Sequence, residues 1–332
     1  MIKLFKSLFS IIFVFIVVLA AWMAWFALTP LALKQSPQEL EIRHGSSLRA
    51  VAHQLAAENL LVEPWSFVLL VRALGRANEI KAGNYLLEGE ISPYQLFLKL
   101  TRGDVTQSQV VFIEGWTFKQ MRKALNEHPA LRHDTRTMTD EEILREIGAE
   151  RGHPEGRFFP DTYNFSSGMS DIAVLKRAYR MMQSRLAEAW ARRAADLPYA
   201  SQDEALVMAS IIEKETGQAA ERPMIASVFV NRMRLGMRLQ TDPTVIYGLG
   251  EVFDGNLRKR DLLADTPYNT YTRAGLPPTP IAMPGAASIH AALNPAKSQA
   301  LYFVAKGNGA HHFSNNLTEH NRAVARYQLN QP

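Results

Sequence analysis

Hydrophobic positions in this chain change their spacing three times from the N-terminus to the C-terminus. The first stretch is continuous: no charged residue stands between Lys6 and Lys34, a run of 27 residues. Its apolar part, from Leu8 to Leu28, would span roughly 30 Å as a helix, about one hydrocarbon core. Lys3 and Lys6 precede it and the first acidic residue is Glu39. The positive-inside rule therefore keeps the N-terminus in the cytoplasm and sends the rest outward, with Trp22 and Trp25 near the outer interface. A cleaved signal peptide would have a shorter apolar core, and the alanines at 20, 21, 24 and 27 form no clean A-x-A site. The pattern predicts a cytoplasmic end at 1–6, a single uncleaved span at 7–29 and a tether at 30–37.

The second regime mixes short strand-like and helix-like patterns. Leu40-Glu-Ile42 alternates as a strand, His44-Gly-Ser-Ser47 supplies a turn and N-cap, and Leu48, Val51, Ala52, Leu55 and Ala56 follow helical spacing. Pro64 opens a second helix, Gly83 to Leu87 reads as a strand, and Ser92-Pro93 starts a helix through Leu100. A strand followed by Gly45-x-Ser47-Leu48 opening a helix resembles the LysM module, which binds glycans containing N-acetylglucosamine. The same residues serve any capped helix, so a plain spacer domain is the competing reading of 38–105.

The third regime, 106–332, reads as one larger, mostly helical domain with some strands, so the fold class expected outside the membrane is α+β. Strands are expected at Ser108 to Glu114 and Leu301 to Ala305. Helices are expected at Thr117 to Leu125, from Thr139, and over Ile172 to Ala195, Ala205 to Thr216, Pro223 to Arg234 and Thr318 to Tyr327. Between Arg234 and Pro284 the density of Pro, Gly, Thr and Tyr predicts loops carried on that scaffold.

Composition narrows the partners. The 37 basic and 32 acidic residues are dispersed, without the basic block or aromatic-interleaved stripe of a nucleic-acid binder. Cysteine is absent, which excludes a disulfide framework and thiolate metal sites. His311, His312 and His320 lie near Glu319 without a zinc-ligand spacing, so no metal and no other cofactor is expected. With the bulk outside the membrane, cell-envelope material is the expected substrate.

Candidate chemistry collects in three polar clusters: Glu213 to Thr216, Gln240-Thr241-Asp242, and Tyr268-Asn269-Thr270-Tyr271. Amides and hydroxyls beside aromatic rings suit a carbohydrate, whose hydroxyls need hydrogen bonds and whose C–H faces pack on rings. Asp242-Pro243 also suits the start of a short helix through Tyr247. Glu213 ends a greasy helix, where partial desolvation and the negative end of the helix dipole favour a retained proton and hence general-acid chemistry. Glu215 points to nearly the opposite face, over Met208, Ile211 and Ile212, and desolvation alone favours it slightly. A stripe of small residues, Ala209, Ser210 and Gly217, leaves room for a ligand beside Glu213 instead. Periodicity does not separate the two.

The runs Ala209 to Thr216, Ala226 to Arg232, Met237 to Tyr247, Tyr268 to Tyr271 and Gly275 to Pro278 resemble, in order, the YceG-like endolytic murein transglycosylase family. Thr279 and Met283 depart from it, where glycine and a polar residue are expected. The resemblance implies a single-pass inner-membrane enzyme whose periplasmic part cuts the β-1,4 bond between N-acetylmuramic acid and N-acetylglucosamine within nascent peptidoglycan strands, leaving a 1,6-anhydro end. It places the catalytic glutamate on Glu213 and the substrate contacts on Gln240, Thr241, Asp242, Tyr268, Asn269, Thr270 and Tyr271. It also implies penicillin-binding proteins and other peptidoglycan synthesis proteins as partners. The rivals are a hydrolytic muramidase using Asp242 or Glu221 as second carboxylate, and a non-catalytic glycan-binding scaffold.

Overall fold

The structure is a computed structural model that describes residues 2–33, 36, 38–43, 45–104, 107–149 and 152–329, and the side chains of these except 2–9, 39 and 107. The expected turn residue His44, part of the tether, the domain junction at 105–106 and the side chains of Lys3 and Lys6 thus lie outside the described residues. The chain divides into two compact units, one formed by 1–108 with 164–169 and the other by 109–163 with 170–332.

The first unit starts with α1 (Ile2–Leu28), whose segment Ser10–Leu28 is long and apolar enough to cross a membrane. Next come β1 (Gln38–Ile42), α2 (Leu48–Ala57), α3 (Pro64–Ala73), β2 (Gly83–Leu87) and α4 (Pro93–Arg102). β1 and β2 pair antiparallel, from Gln38 opposite Leu87 to Ile42 opposite Gly83. Alternation along them turns Leu40, Ile42, Tyr85 and Leu87 inward onto Val51, Leu55, Phe67, Leu96 and Phe97. Caps set the helix ends. Ser47 accepts from the Ala50 N–H, and Ser92 forms a reciprocal capping box with Gln95 ahead of Pro93. Gly103 closes α4 at φ 76°, a left-handed conformation that glycine adopts without Cβ strain.

The second unit is helix-rich. After β3 (Gln107–Val111) come α5 (Phe118–Glu127), β4 (Leu131–Arg132), α6 (Asp140–Glu146), β5 (Thr162–Ser166) and β6 (Met169–Ser170), whose residues 164–169 count with the first unit, and α7 (Asp171–Ala191). Then follow α8 (Gln202–Glu215), α9 (Arg222–Arg234), α10 (Asp242–Leu249), α11 (Lys259–Leu263), α12 (Ala286–Leu293), β7 (Tyr302–Ala305), β8 (His311–Ser314) and α13 (Leu317–Gln328). Every residue of α8 from Ala205 to Ile212 is buried, the mark of a helix surrounded on all sides. α7, α9, α10 and α12 pack around it. Cutting Ile211 or Ile212, each 0% exposed, to alanine would cost about 2–5 kcal/mol.

Helix ends mostly fall within a few residues of those expected. The long helix stops at Ala191 rather than Ala195, because the chain turns so that the Ala194 N–H bonds the Leu293 carbonyl. Five short elements (α11, β4, β5, β6 and β8) and α12 go beyond the elements expected. The small alanine-rich sequence of α12 carries no strong amphipathic pattern and no side-chain cap, yet it fits closely against α8, burying Ser288, Ile289, Ala291, Ala292 and Leu293.

Candidate active site

α8 carries both glutamates out of the core at its last turn, and the backbone then extends at Thr216 (φ −145°). The two carboxyl groups reach different surroundings. Glu213 meets fixed donors on both oxygens: Arg222 Nη2 lies 3.1 Å from Oε1 and the Gly285 N–H donates to Oε2 at 2.9 Å. Its side chain is 5% exposed and that of Arg222 10%. Arg222 also faces Glu114, 3.9 Å away. Burial, with the Glu213 charge beside it, pushes the Glu114 carboxyl up from its ordinary value. The Glu114 carboxyl fills the space where a side chain on residue 285 would begin, 1.8 Å from a Cβ there, so glycine is the residue that fits.

Over Leu206, Ala209 and Ser210 the room expected beside Glu213 is filled by protein, while Glu213 itself and the exposed Gly217 border an open cavity. Leu206, Ala209 and Ser210 are 2%, 0% and 0% exposed, and Ser210 accepts the Ile281 N–H at 3.0 Å. Ala209 and Ser210 admit α12 and the 281–285 segment rather than a ligand.

Glu215 has the opposite environment. It lines a cleft of about 560 Å³ together with Gln240, Thr241, Asp242 and Tyr271 from the expected clusters, and Arg232, Tyr302 and His311. It also borders a second cavity of about 420 Å³, shared with Glu114, Trp116, Glu213 and Arg222. Burial pushes the Glu215 carboxyl up to about 7, opposed by a hydrogen bond from the Thr241 hydroxyl and reinforced by the nearby Asp242 charge. A carboxylic acid with that value holds its proton near neutral pH and releases it readily, as an alternating acid and base must.

The rest of the cleft is fixed by loop architecture. Thr241 is the N-cap of α10, and Asp242, at the first helical position, accepts from the Tyr271 hydroxyl at 2.5 Å. Burial, with Asp242 alongside, raises the Tyr271 phenol, which stays a donor. Gln240 adopts φ 53°, an uncommon left-handed conformation for a side-chain-bearing residue. It is held by its N–H to the Thr270 carbonyl (3.1 Å) and by Arg232 on its side-chain oxygen (3.2 Å). Arg232 is a buried brace, donating to the carbonyls of Leu301 and Leu239 and lying over the Tyr302 ring at 5.0 Å.

Three residues expected at the substrate brace the loop instead. Asn269, 1% exposed, donates to the carbonyls of Asp261, Leu262 and Ala264. Thr270, 3% exposed, accepts the Thr241 N–H and bonds the Thr244 hydroxyl. Tyr268 packs on Tyr247 and bonds the Thr279 hydroxyl at 2.8 Å. They present Tyr271, the one member of their cluster that lines the cleft. Thr279 thereby gains a structural role, and Met283 is fully buried with its N–H on the Trp116 carbonyl and its carbonyl on the Gly115 N–H.

Several contributors were outside the sequence expectation. Arg232, Tyr302 and His311 come from α9, β7 and β8, far apart in sequence, and β8 itself was not expected. Glu221, named as a possible second carboxylate, receives the His311 backbone N–H at 2.8 Å and lies 2.7 Å from its Nδ1. Glu155, 3% exposed, is pushed up to about 7 by burial while accepting from the Phe118 N–H and the Tyr247 hydroxyl. Among the described residues no group of three or more His, Asp or Glu side chains is placed to hold a metal ion.

Residues 40–326 match the model of the YceG-like family. A Bacillus subtilis (strain 168) protein named endolytic murein transglycosylase is 34% identical over 310 residues, covering 87% of this chain and 84% of its own length. A protein of the same name from Streptococcus pneumoniae (strain D39) is 27% identical over 286 residues, 75% of this chain but 51% of that longer protein. The crystal structure of a yceG-like protein from Listeria monocytogenes matches with a TM-score of 0.56 at 33% identity, covering 86% of this chain and 98% of that one. By the extent of these matches, the chain belongs to the YceG-like family.

Proposed function

We propose that this protein is a membrane-anchored peptidoglycan lytic transglycosylase that cuts within glycan strands, with Glu215 as its acid and base. The observation that carries the reading is a carboxyl group with a value of about 7, in a cleft lined by Gln240, Asp242 and Tyr271. The names of the relatives supply the substrate class. The family resemblance put the acid on Glu213. Geometry favours its neighbour two residues on, because Glu213 spends both oxygens on Arg222 and Gly285 while Glu215 faces the cleft.

In this mechanism protonated Glu215 gives its proton to the oxygen leaving C1 of N-acetylmuramic acid, and the C1–O bond breaks. The resulting carboxylate takes the proton of the C6 hydroxyl as O6 bonds to C1. The 1,6-anhydro ring closes, the acid is regenerated and no water is consumed. One carboxyl serves both steps. Gln240 and the Tyr271 hydroxyl supply polar contacts to the sugar, and the Asp242 charge offsets the oxocarbenium-like character at C1.

Asp242 also gives the hydrolytic reading its support, since it is a second carboxyl group in the same cleft. Mass spectrometry of products from uncrosslinked glycan separates the two. Anhydro ends, one water lighter than reducing ends, are expected. Mostly reducing ends would assign a muramidase, and no cleavage would leave the scaffold reading.

The same proposal places α1 in the cytoplasmic membrane with its N-terminus inside and the catalytic unit in the periplasm, where strands leave membrane-bound polymerases. Domains at 38–105 and 106–332 follow from this division of labour. The strand–helix–helix–strand order of the first unit supports a LysM-like glycan-holding role. Binding of the full-length Glu215→Gln protein to sacculi, with and without changes on α2, tests it.

A further inference from the structure

The first unit exposes an apolar surface that its own core does not need. Val62, Trp65, Leu69, Leu74 and Tyr94 are 99%, 53%, 37%, 38% and 37% exposed. All lie in the segment from the α2–α3 loop to the start of α4. α3 itself, Pro-Trp-Ser-Phe-Val-Leu-Leu-Val-Arg-Ala, has one charge, Arg72 in its last turn. That makes it apolar on the outward face as well as toward the core, where Phe67, Leu70 and Val71 are buried.

This surface is continuous with the membrane helix. Trp22 of α1 stacks on Trp65 at 5.1 Å, and the Leu31 N–H bonds the Ile91 carbonyl at 2.8 Å. Phe26 and Leu31 pack against the core of the unit. Two open cavities line the junction. One, of about 620 Å³, has Leu19, Met23 and Leu28 on one wall and Leu69, Leu74 and Tyr94 on the other. A second, of about 420 Å³, lies between Trp25 and the Leu61–Val62 loop.

Length decides where this surface sits. The 27 residues of α1 make a helix of about 40 Å, roughly 10 Å more than a hydrocarbon core. Lys3 and Lys6 hold the N-terminal end at the cytoplasmic face, so the excess length lies there, and the last two turns meet the outer boundary of the hydrocarbon core and carry α3 with them. Indole rings prefer that depth, and Trp22, Trp25 and Trp65 gather there.

We infer that the first unit is seated in the outer leaflet, with α3 and the Val62 loop lying in the headgroup–acyl boundary and lipid chains filling the two clefts against α1. The occupant is lipid because each cleft has the membrane helix as one wall, so whatever surrounds that helix also fills the cleft. Arg72, exposed at the end of α3, reaches from this face toward lipid phosphates as interfacial arginines do. The inference rests on α1 being a membrane anchor.

The natural chain has no cysteine, so single nitroxide labels need no background removal. Full-length Val62→Cys, Leu69→Cys and Leu74→Cys proteins are labelled and reconstituted in phosphatidylethanolamine–phosphatidylglycerol vesicles. Electron paramagnetic resonance then compares oxygen with nickel-chelate accessibility. Phe13→Cys reports the anchor and Glu88→Cys, on an exposed loop, reports water. The expected result is an oxygen-to-chelate ratio at 62, 69 and 74 several-fold above that at 88, with 13 deeper still. Chelate access at the three positions equal to that at 88, while 13 stays protected, would overturn the seating and leave the anchor standing. Chelate access at 13 would remove the anchor and the seating together. Dipolar broadening with loss of oxygen access at 62, 69 and 74 would assign the face to a second copy of the chain and also overturn the inference.

Discussion

Replacing Glu215 by glutamine should make the catalytic unit more stable at alkaline pH while removing its chemistry. The folded-state carboxyl is raised to about 7 from an ordinary 4.5, chiefly by burial. A raised acid contributes stability that is fully present below the unfolded value and is lost as pH climbs through the folded one. A tenfold change in acidity corresponds to about 1.4 kcal/mol, so the wild-type chain loses up to about 3 kcal/mol well above pH 7. Most of this, about 2–3 kcal/mol, falls between pH 5 and pH 8. Glutamine carries no charge to desolvate and its side-chain oxygen can still accept from the Thr241 hydroxyl. For a unit of this size each kcal/mol moves Tm by about 2–4 °C. The difference in Tm between the Glu215→Gln and wild-type proteins in detergent should therefore grow by about 5–10 °C from pH 5 to pH 8. Glu155, also raised to about 7, is present in both and leaves a shared slope. A difference that does not change with pH would refute the burial argument for Glu215.

Three further perturbations test neighbouring parts of the account. Thr241→Val keeps the backbone of the α10 cap but removes the donor to the Glu215 carboxylate. Since bonds to charged groups are worth about 1.5–3 kcal/mol, the alkaline limb of kcat/KM should move up by about 1–2 pH units. Arg222→Met strips Glu213 of its guanidinium, and breaking a buried pair of this kind should cost about 3–5 kcal/mol, read as a fall in Tm. Gly156→Ala places a Cβ 2.4 Å from that of Pro280 on a backbone at φ 77°, and should cost more than about 1–2 kcal/mol by the same measurement.

Much of the scaffold is legible in the sequence because strong local signals agree with the packing. Ser47, Ser92-Pro93 and Thr139 begin helices in the sequence and cap them in the structure. The uncharged run to Lys34 reads directly as one long apolar helix. α12 escapes such a reading because its burial comes from a tertiary fit of small residues against α8, which leaves little local pattern. The polar clusters stand out in the sequence, but not which of their members face the cleft. Asn269 and Thr270 look like ligand residues in sequence and serve as buried loop braces, since backbone carbonyls of 261–264 and the Thr241 N–H also need partners. Choosing between Glu213 and Glu215 requires knowing what covers each helix face. Arg222 and Gly285, 9 and 72 residues away, supply that for Glu213. Nothing in helical spacing carries contacts of that separation.

The assignment of the acid is tested most directly by assaying the full-length wild-type, Glu213→Gln and Glu215→Gln proteins side by side on uncrosslinked glycan. Loss of the proton donor alone should remove about 10²–10⁴-fold in rate. The account predicts that loss, with no anhydro products above background, in the Glu215→Gln protein, and anhydro products still formed by any Glu213→Gln protein that remains folded. Continued cleavage by the Glu215→Gln protein, together with an inactive but folded Glu213→Gln protein, would contradict it.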